Sequence, residues 1–355
     1  MATRQRIRYV PTRDGVRLAW AEAGEGPVLV KAANWLTHLE YEWESPIWRH
    51  WIHFFSSHFR CIRYDERGCG MTDWNVGDLS PDRWREDLET VIEACGATEP
   101  VTLFGISQGG AASIMYAVAH PERVSRMILY GAYARGIARR DDPGEARAYQ
   151  AITELARLWG SDNPAFRQVF TSRFVPDATA EQLQWFNELC RKTTSPEIAG
   201  TLLEARAHVD VAHLLERVRV PTLVIQSRDD HITPLGEGRF LASRIPGAEM
   251  VELDSKNHVL LEHEPAWERF CEAVLDFTGV RPAAESGTEA FAALSRRERE
   301  ILALVADGLS NAEIAGRLKI SDKTVRNHLS SVFDKLGVWT RAQAIVFARD
   351  RGFAG

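Results

Sequence analysis

Ten residues constrain this chain more than any others: Val101-Thr-Leu-Phe-Gly105-Ile-Ser107-Gln-Gly109-Gly110. An apolar run of strand character stops at Gly105, and Gly-x-Ser-x-Gly follows at once, the spacing of a sharp strand-to-helix turn with a serine at its apex. A turn this tight strains the serine backbone and leaves no room for side chains two positions before and two after it. The run Ala-Ala-Ser-Ile-Met-Tyr-Ala-Val-Ala behind it, ending at His120-Pro121, reads as the helix that such a turn must enter. The competing reading is an ordinary glycine-rich turn between a strand and a helix, because the motif alone is common.

The flanking sequence alternates strands with helical runs, the pattern of a parallel α/β sheet. Residues 6–10 and 16–23 read as two strands joined through Asp14-Gly15, a hairpin signal. Short apolar runs of strand character follow at 28–32, 59–64, 124–130, 221–226 and 249–253, and an amphipathic helix is expected over 265–277. Between 134 and 217 the rhythm breaks into helical composition with Trp159, Phe166, Phe170, Phe174, Trp185 and Phe186, which predicts a helical cap inserted over the sheet.

A serine hydroxyl is a poor nucleophile unless a histidine takes its proton and an acid orients that histidine. Gln226-Ser-Arg-Asp229-Asp230-His-Ile-Thr-Pro234 begins where the penultimate strand ends, and Asp254-Ser-Lys-Asn-His258-Val follows the last strand. Each alone could be an ordinary loop polar residue, but the order serine, acid, histidine, each after an expected strand, argues against that. Together with Asp65-x-Arg67-Gly68-x-Gly70, these residues resemble the α/β-hydrolase family across residues 5–278. The resemblance implies a mostly parallel α/β-hydrolase sheet with a helical cap, with Ser107 as nucleophile, His258 as base and Asp230, rather than Asp229, as acid.

Members of that family usually carry His-Gly after the third strand, where the backbone helps to shape an oxyanion hole. Here the segment reads Lys31-Ala-Ala33-Asn34-Trp35-Leu36, so Asn34 stands where glycine is expected. Asparagine tolerates positive φ better than most residues, so the resemblance still implies the amides of Trp35 and Gln108 as donors. Loss of one donor can cost on the order of 10²- to 10³-fold in turnover, which makes slow or absent hydrolysis an open alternative. The aromatic residues after this loop and in the cap suggest a pocket for a small apolar ligand at Asn34, Trp35, Trp43, Trp159 and Trp185, against the plainer reading that most of them are core. His50 and His53, spaced i, i+3 beside His58, could be read as metal ligands, but packed or surface histidines are the plainer reading. No metal and no other cofactor is expected.

Two domains suit 355 residues at 45% hydrophobic content. The net charge of −6 conceals an asymmetry: from Glu289 onward eleven Lys/Arg face eight Asp/Glu. Five scattered cysteines without a Cys-x-x-Cys pair suggest neither a disulfide framework nor a zinc site. No signal-like or membrane-spanning apolar run is present in the sequence, so a cytoplasmic protein with no membrane partner is expected.

The basic tail has its own grammar. Ser295 with Glu298 is a capping box, Gly308 is a helix stop, Ser310 or Asn311 can cap a second helix, and Ser321 a third. Two short helices joined by a tight turn, the second carrying Lys323, Thr324, Arg326, Asn327 and His328, match the needs of a helix-turn-helix. From Leu294 to Phe353, including Lys335-Leu336-Gly337 and Thr340-Arg341-Ala-Gln-Ala, the segment resembles the LuxR/FixJ-type DNA-binding domain. The resemblance implies a small all-α four-helix domain over 290–355, after a linker at 279–289 that follows a first domain at 1–278. It implies that Lys323, Thr324, His328 and Lys335 face phosphates, while Arg326, Asn327 and Ser330 are candidates for base edges. It also implies a homodimer on paired half-sites of double-stranded DNA, with contacts from the fourth helix, where Val338, Ile345, Val346 and Phe347 divide between core and interface.

The expectation is a one-component transcription regulator whose hydrolase-like domain binds, with or without slow hydrolysis, a small, largely apolar ester, lactone or similar carbonyl compound. The alternative is a working serine esterase whose helix-turn-helix only localises or autoregulates it.

Overall fold

The computed structural model describes residues 4–160, 163–280, 291, 293–338, 340–350 and 353, without the side chains of residues 334, 342 and 350. The chain divides into two compact units, Arg4–Val280 and a second that takes up the chain from Arg281. The expected linker starts at Gly279, whose φ of 68° ends the last helix of the first unit, and its residues 281–289 lie outside the described residues.

The first unit is built on eight strands: β1 (Arg6–Pro11), β2 (Arg17–Ala23), β3 (Val28–Lys31), β4 (Arg60–Tyr64), β5 (Val101–Ile106), β6 (Val124–Tyr130), β7 (Thr222–Ser227) and β8 (Glu249–Leu253). They lie in the order β1-β2-β4-β3-β5-β6-β7-β8. β2 pairs antiparallel with β1 and β4, and every other neighbouring pair is parallel. All six residues of β5 are buried, as are all six of β7, which is why their sequences run apolar without alternation.

Successive residues of these strands nonetheless serve opposite faces. Leu103, Met127 and Leu129 belong to one core cluster with Leu88, Val91, Ile114 and Leu241. Phe104, Ile128 and Tyr130 belong to the other, with Trp51, Phe55 and Phe270. The helices of this unit are α1 (Leu39–Trp43), α2 (Arg49–His58), α3 (Pro81–Ala94), α4 (Gly109–Ala119), four cap helices α5 (Pro143–Ala156), α6 (Ala165–Phe174), α7 (Ala180–Thr193) and α8 (Pro196–His208), then α9 (Leu235–Arg244) and α10 (Pro265–Thr278). α5 to α8 fall between β6 and β7, as the break in rhythm predicted.

Trp51 anchors the aromatic face. Its ring lies 4.7 Å from Phe270, 4.8 Å from Trp267 and 5.2 Å from Tyr130, and its indole N–H donates to Leu260 O at 3.0 Å. Truncating a tryptophan so enclosed costs about 3–5 kcal/mol. His50 shares the Leu260 carbonyl at 3.0 Å and packs edge-on to Trp267, so it is a core histidine. His58 bonds the Phe54 carbonyl through Nδ1 at 2.8 Å. Among the described residues no cluster of three or more His, Cys, Asp or Glu is arranged to hold a metal, and no helix is long and apolar enough to cross a membrane.

The second unit contains α11 (Arg296–Ala306), α12 (Asn311–Leu318), α13 (Asp322–Leu336) and α14 (Arg341–Asp350). Each of the first three is capped from its own sequence. Ser295 and Ser310 form capping boxes with Glu298 and Glu313, and Ser321 accepts from Thr324 N at 3.1 Å. Two small cores result, one around Leu302, Val332 and Ala344, the other around Ile301, Ile314, Val325 and Leu329.

Candidate active site and DNA-reading helix

β5 ends at Ile106 and α4 begins at Gly109, so the chain reverses within two residues. Ser107 takes φ of 53°, and its amide donates to Tyr130 O at 3.1 Å. A Cβ on Gly105 would sit 2.8 Å from the Gly110 Cα, and one on Gly109 would sit 3.0 Å from the carbonyl oxygens of Ala32 and Ala33. The tight packing expected on both sides of the serine is therefore present, and it is what holds a β-carbon-bearing residue in the left-handed region.

Asp230 lies just beyond β7, buried, while its neighbour Asp229 is exposed. One carboxylate oxygen of Asp230 accepts from the amides of Ile232 at 2.7 Å and Thr233 at 3.0 Å. The other accepts from Gln226 Nε2 at 3.2 Å and meets His258 Nδ1 at 2.7 Å. His258 is buried in the loop after β8; its amide donates to Phe174 O at 2.8 Å, and its ring stands edge-on to Phe174 at 5.2 Å. The other ring nitrogen, Nε2, is buried and has no hydrogen-bond partner. With Nδ1 committed to the carboxylate, Nε2 is the position from which an imidazole can accept a proton.

Tyr130 and Gly131 join the two halves of this arrangement. Tyr130 receives the Ser107 amide, and a Cβ on Gly131 would lie 3.0 Å from His258 Cε1 and 3.6 Å from Asp230 Oδ2. Gly131 also adopts φ of 53°. Its place directly after a buried strand, Tyr-Gly-Ala, was the one signal in the sequence that could have marked it.

The expected oxyanion loop differs from its reading. Asn34 has no positive φ; among the described residues without glycine, Leu36 carries it in this loop at 62°. Asn34 does not line the cavity at Ser107; its side-chain oxygen accepts from Lys31 Nζ and its Nδ2 donates to Trp35 O at 3.2 Å. Burial pushes the Lys31 ammonium below its usual range, and the nearby Glu42 carboxylate opposes that shift. The Trp35 amide, expected as one donor, gives its hydrogen bond to Gln108 Oε1 at 2.9 Å. Gln108 Nε2 in turn donates to Ala33 O at 3.3 Å, so this side chain bridges the loop. The Gln108 amide sits at the N-terminus of α4, where helix amides have no partner within the helix.

A cavity of about 60 Å³ is bounded by Ser107. Trp35, Ile152, Phe170, Phe174, Leu203 and Ile232 supply much of its apolar wall, and Arg140, Arg173, Arg206 and Glu145 its charged groups. Of the tryptophans assigned to the pocket only Trp35 lines it. Trp159 packs behind, 5.6 Å from Trp35 and 5.0 Å from Phe170, with its N–H on Phe166 O. Trp185 stacks flat on Tyr41 at 4.8 Å, and Trp43 packs on the edge of the core. Asn34, Trp43, Trp159 and Trp185 are therefore structural here, because apolar composition does not reveal which layer a ring occupies. The arginines were missed: all three lie in a segment read only as a helical block.

On α13, Lys323, Arg326, Asn327 and Ser330 are exposed, with Thr324 and His328 half-buried, while Val325 and Leu329 point into the core. Arg326 pairs with Asp322 at 3.0 Å in an exposed contact that is easily given up. The Thr324 hydroxyl lies 2.8 Å from that of Ser321 and so belongs to the cap. Lys335 departs from expectation: its ammonium bonds both oxygens of Glu298 at 2.8 and 2.7 Å, locking α13 to α11 instead of standing free for a phosphate. Burial alone would raise the Glu298 carboxyl, but donors from Lys335, Ser331 and Ser295 hold it down to about 2. In the expected dimer-contact set, Val338 is buried, Ile345 and Phe347 pack against the cores, and Val346 is exposed.

A family model described as the alpha/beta hydrolase fold matches residues 41–265, and one described as bacterial regulatory proteins of the luxR family matches residues 292–348. The 3-oxoadipate enol-lactonase 2 of Acinetobacter baylyi is 28% identical over 269 residues, spanning 74% of this chain and 95% of that protein. Among solved structures, an esterase from Exiguobacterium antarcticum superposes with a TM-score of 0.65 at 22% identity, covering 76% of this chain and 98% of the esterase. An enol-lactonase from Burkholderia xenovorans gives 0.61 at 23% identity, with 77% and 100% covered. At these identities the two superpositions speak for the fold alone.

Proposed function

Because the chain belongs to the alpha/beta hydrolase fold family and joins that domain to a LuxR-type DNA-binding domain, we propose that it is a transcription regulator whose hydrolase domain senses a small, largely apolar ester or lactone. The observation that carries this reading is the covalent union of a DNA-reading helix with a domain that holds a cavity at Ser107. In this reading the ligand carbonyl sits at Ser107, and occupancy shifts the population of a DNA-competent homodimer, which requires different ligand affinities in the two states. The Trp35 amide bonded to Gln108 favours retention of the ligand over rapid turnover, since one electrostatic donor is already engaged. The test is a gel shift of the full chain on an operator selected in vitro, with and without a panel of short-chain esters and lactones. A change in apparent affinity is expected with at least one of them; the same affinity across the panel overturns the reading.

One observation favours a second reading, a working serine esterase that its helix-turn-helix localises or autoregulates. The 2.7 Å contact between Asp230 and His258, with Nε2 unpartnered, is the arrangement of a base ready for use. There Ser107 Oγ adds to the ester carbonyl while His258 takes its proton and later returns it to the leaving alcohol, and water then releases the acid by the same route. Ser107→Ala separates the two. A ligand response that survives the substitution supports sensing by occupancy, and a response lost with the hydrolysis supports turnover as the signal.

A further inference from the structure

The cavity at Ser107 holds more positive charge than its apolar wall requires. Arg206, on α8, is 4% exposed, with its guanidinium carbon 4.4 Å from the Trp35 ring and 5.9 Å from the Trp84 ring. One of its nitrogens, Nη2, pairs with Glu66, while Nε and Nη1 are buried without any hydrogen-bond partner. Arg140 repeats the pattern: Nε donates to Arg135 O at 2.9 Å and lies 3.9 Å from Glu237 Oε1, the guanidinium lies 5.1 Å from the Tyr133 ring, and Nη1 is buried without a hydrogen-bond partner. Arg173, on α6, is the third arginine lining the cavity, and it already donates to His231 O at 3.0 Å. The acidic group on the same wall is Glu145, which approaches Arg173 only at 4.0 Å.

Buried donors on charged groups are costly to leave without acceptors, so the unpartnered guanidinium nitrogens of two arginines that line one cavity call for an acceptor from outside the chain. A guanidinium N–H makes a strong charge-assisted hydrogen bond to a carboxylate oxygen, and a monoanion suits a small, mainly apolar space better than a doubly charged tetrahedral phosphate. We infer that Arg206 and Arg140 form a carboxylate subsite, and that the natural ligand is an acidic ester or lactone with its carbonyl at Ser107 and a free carboxylate on these arginines. This inference rests on the reading of the Ser107 cavity as an ester or lactone site and adds the ligand's charge.

The test compares monomethyl glutarate, ionised at neutral pH, with dimethyl glutarate and with the corresponding methyl ester phosphonate. Binding to the full-length Ser107→Ala protein is followed by tryptophan fluorescence. The monomethyl ester is expected to bind about 10-fold or more tighter than the dimethyl ester. Arg140→Gln should shrink that ratio to within about threefold, and so should Arg206→Met combined with Glu66→Gln, which avoids stranding a buried carboxylate. If the double variant does not fold, the Arg140→Gln ratio decides. Equal binding of the two esters overturns the carboxylate subsite and leaves the ester reading standing, whereas binding of neither overturns both. A ratio that survives in Arg140→Gln and in the double variant overturns the assignment to these arginines, and tighter binding of the phosphonate overturns the choice of carboxylate.

Discussion

The backbone amide of Trp35 donates to the side-chain oxygen of Gln108 at 2.9 Å, across the space where an oxyanion hole would draw both residues' amides toward one substrate oxygen. Gln108, the residue after Ser107, thus holds its own amide at the N-terminus of α4 and engages the Trp35 amide with its side chain. Gln108→Ala is expected to release the Trp35 amide and to raise kcat for p-nitrophenyl acetate by up to about 10²- to 10³-fold, the scale on which single oxyanion donors act. Steady-state hydrolysis by the two purified proteins checks it. An unchanged or lower kcat would mean that the glutamine yields its place whenever substrate arrives.

Asp230→Asn should keep the fold, because the amides of Ile232 and Thr233 still find an acceptor at the retained side-chain oxygen. It removes the negative charge beside His258 Nδ1, however, and with it the preference for the tautomer whose Nε2 is free. Any esterase activity is expected to fall by about 10⁴-fold with little change in thermal stability. Activity and melting temperature measured on the same preparation check both halves.

The two lysines of α13 should behave differently. Lys323 is exposed, so Lys323→Ala is expected to weaken binding to all DNA sequences alike and to lower the slope of log K against log salt by about 1. Lys335→Ala should leave that slope unchanged and instead speed hydrogen exchange in α11 and α13, since it removes the partner of Glu298. Arg326→Ala and Asn327→Ala are expected to relax base preference at particular operator positions, at about 1–3 kcal/mol each. Fluorescence anisotropy across a salt series on matched and single-mismatch operators separates these outcomes.

Glu298 also sets an acid limit on the second unit. Its folded value of about 2 lies below its ordinary 4.5, so the stability it contributes is full above about pH 4.5 and drains away as the pH falls toward 2. Glu298→Gln should therefore be less stable than the parent at pH 7 by about 1–3 kcal/mol, with the difference narrowing below pH 4.5. Urea unfolding by circular dichroism at successive pH values, with the second unit's loss read by hydrogen exchange, checks it. A gap that widens on acidification would contradict the assigned role.

What the sequence made legible follows a physical line. The turn at Ser107, the serine caps of α11 to α13 and the alternation of strands with helices are local or periodic, so residue type and spacing are enough to specify them. Asp230 and His258 were legible because strand ends fix where their loops emerge. Contacts set by rotamers across long separations were not. Gln108 reaches Trp35, Lys335 reaches Glu298, and Arg206 slides between Trp35 and Trp84, and no spacing rule encodes any of these. Trp159 and Trp185 misled for the related reason that a ring in the first layer and a ring in the second have the same composition. Glu298 carried a second lesson, because a residue already explained as a cap was also the partner of Lys335.

The imidazole's own backbone hangs from the cap. His258 N binds Phe174 O, and Phe174 is both the last residue of α6 and part of the cavity wall. Mutational drift that reshapes α6 therefore also moves the His258 imidazole, so the shape of the cavity and the placing of that ring are inherited together. On the proposed function, a lineage that retunes its ligand through this helix would alter its chemistry in the same step, and hydrolysis could be lost with Ser107, Asp230 and His258 all retained.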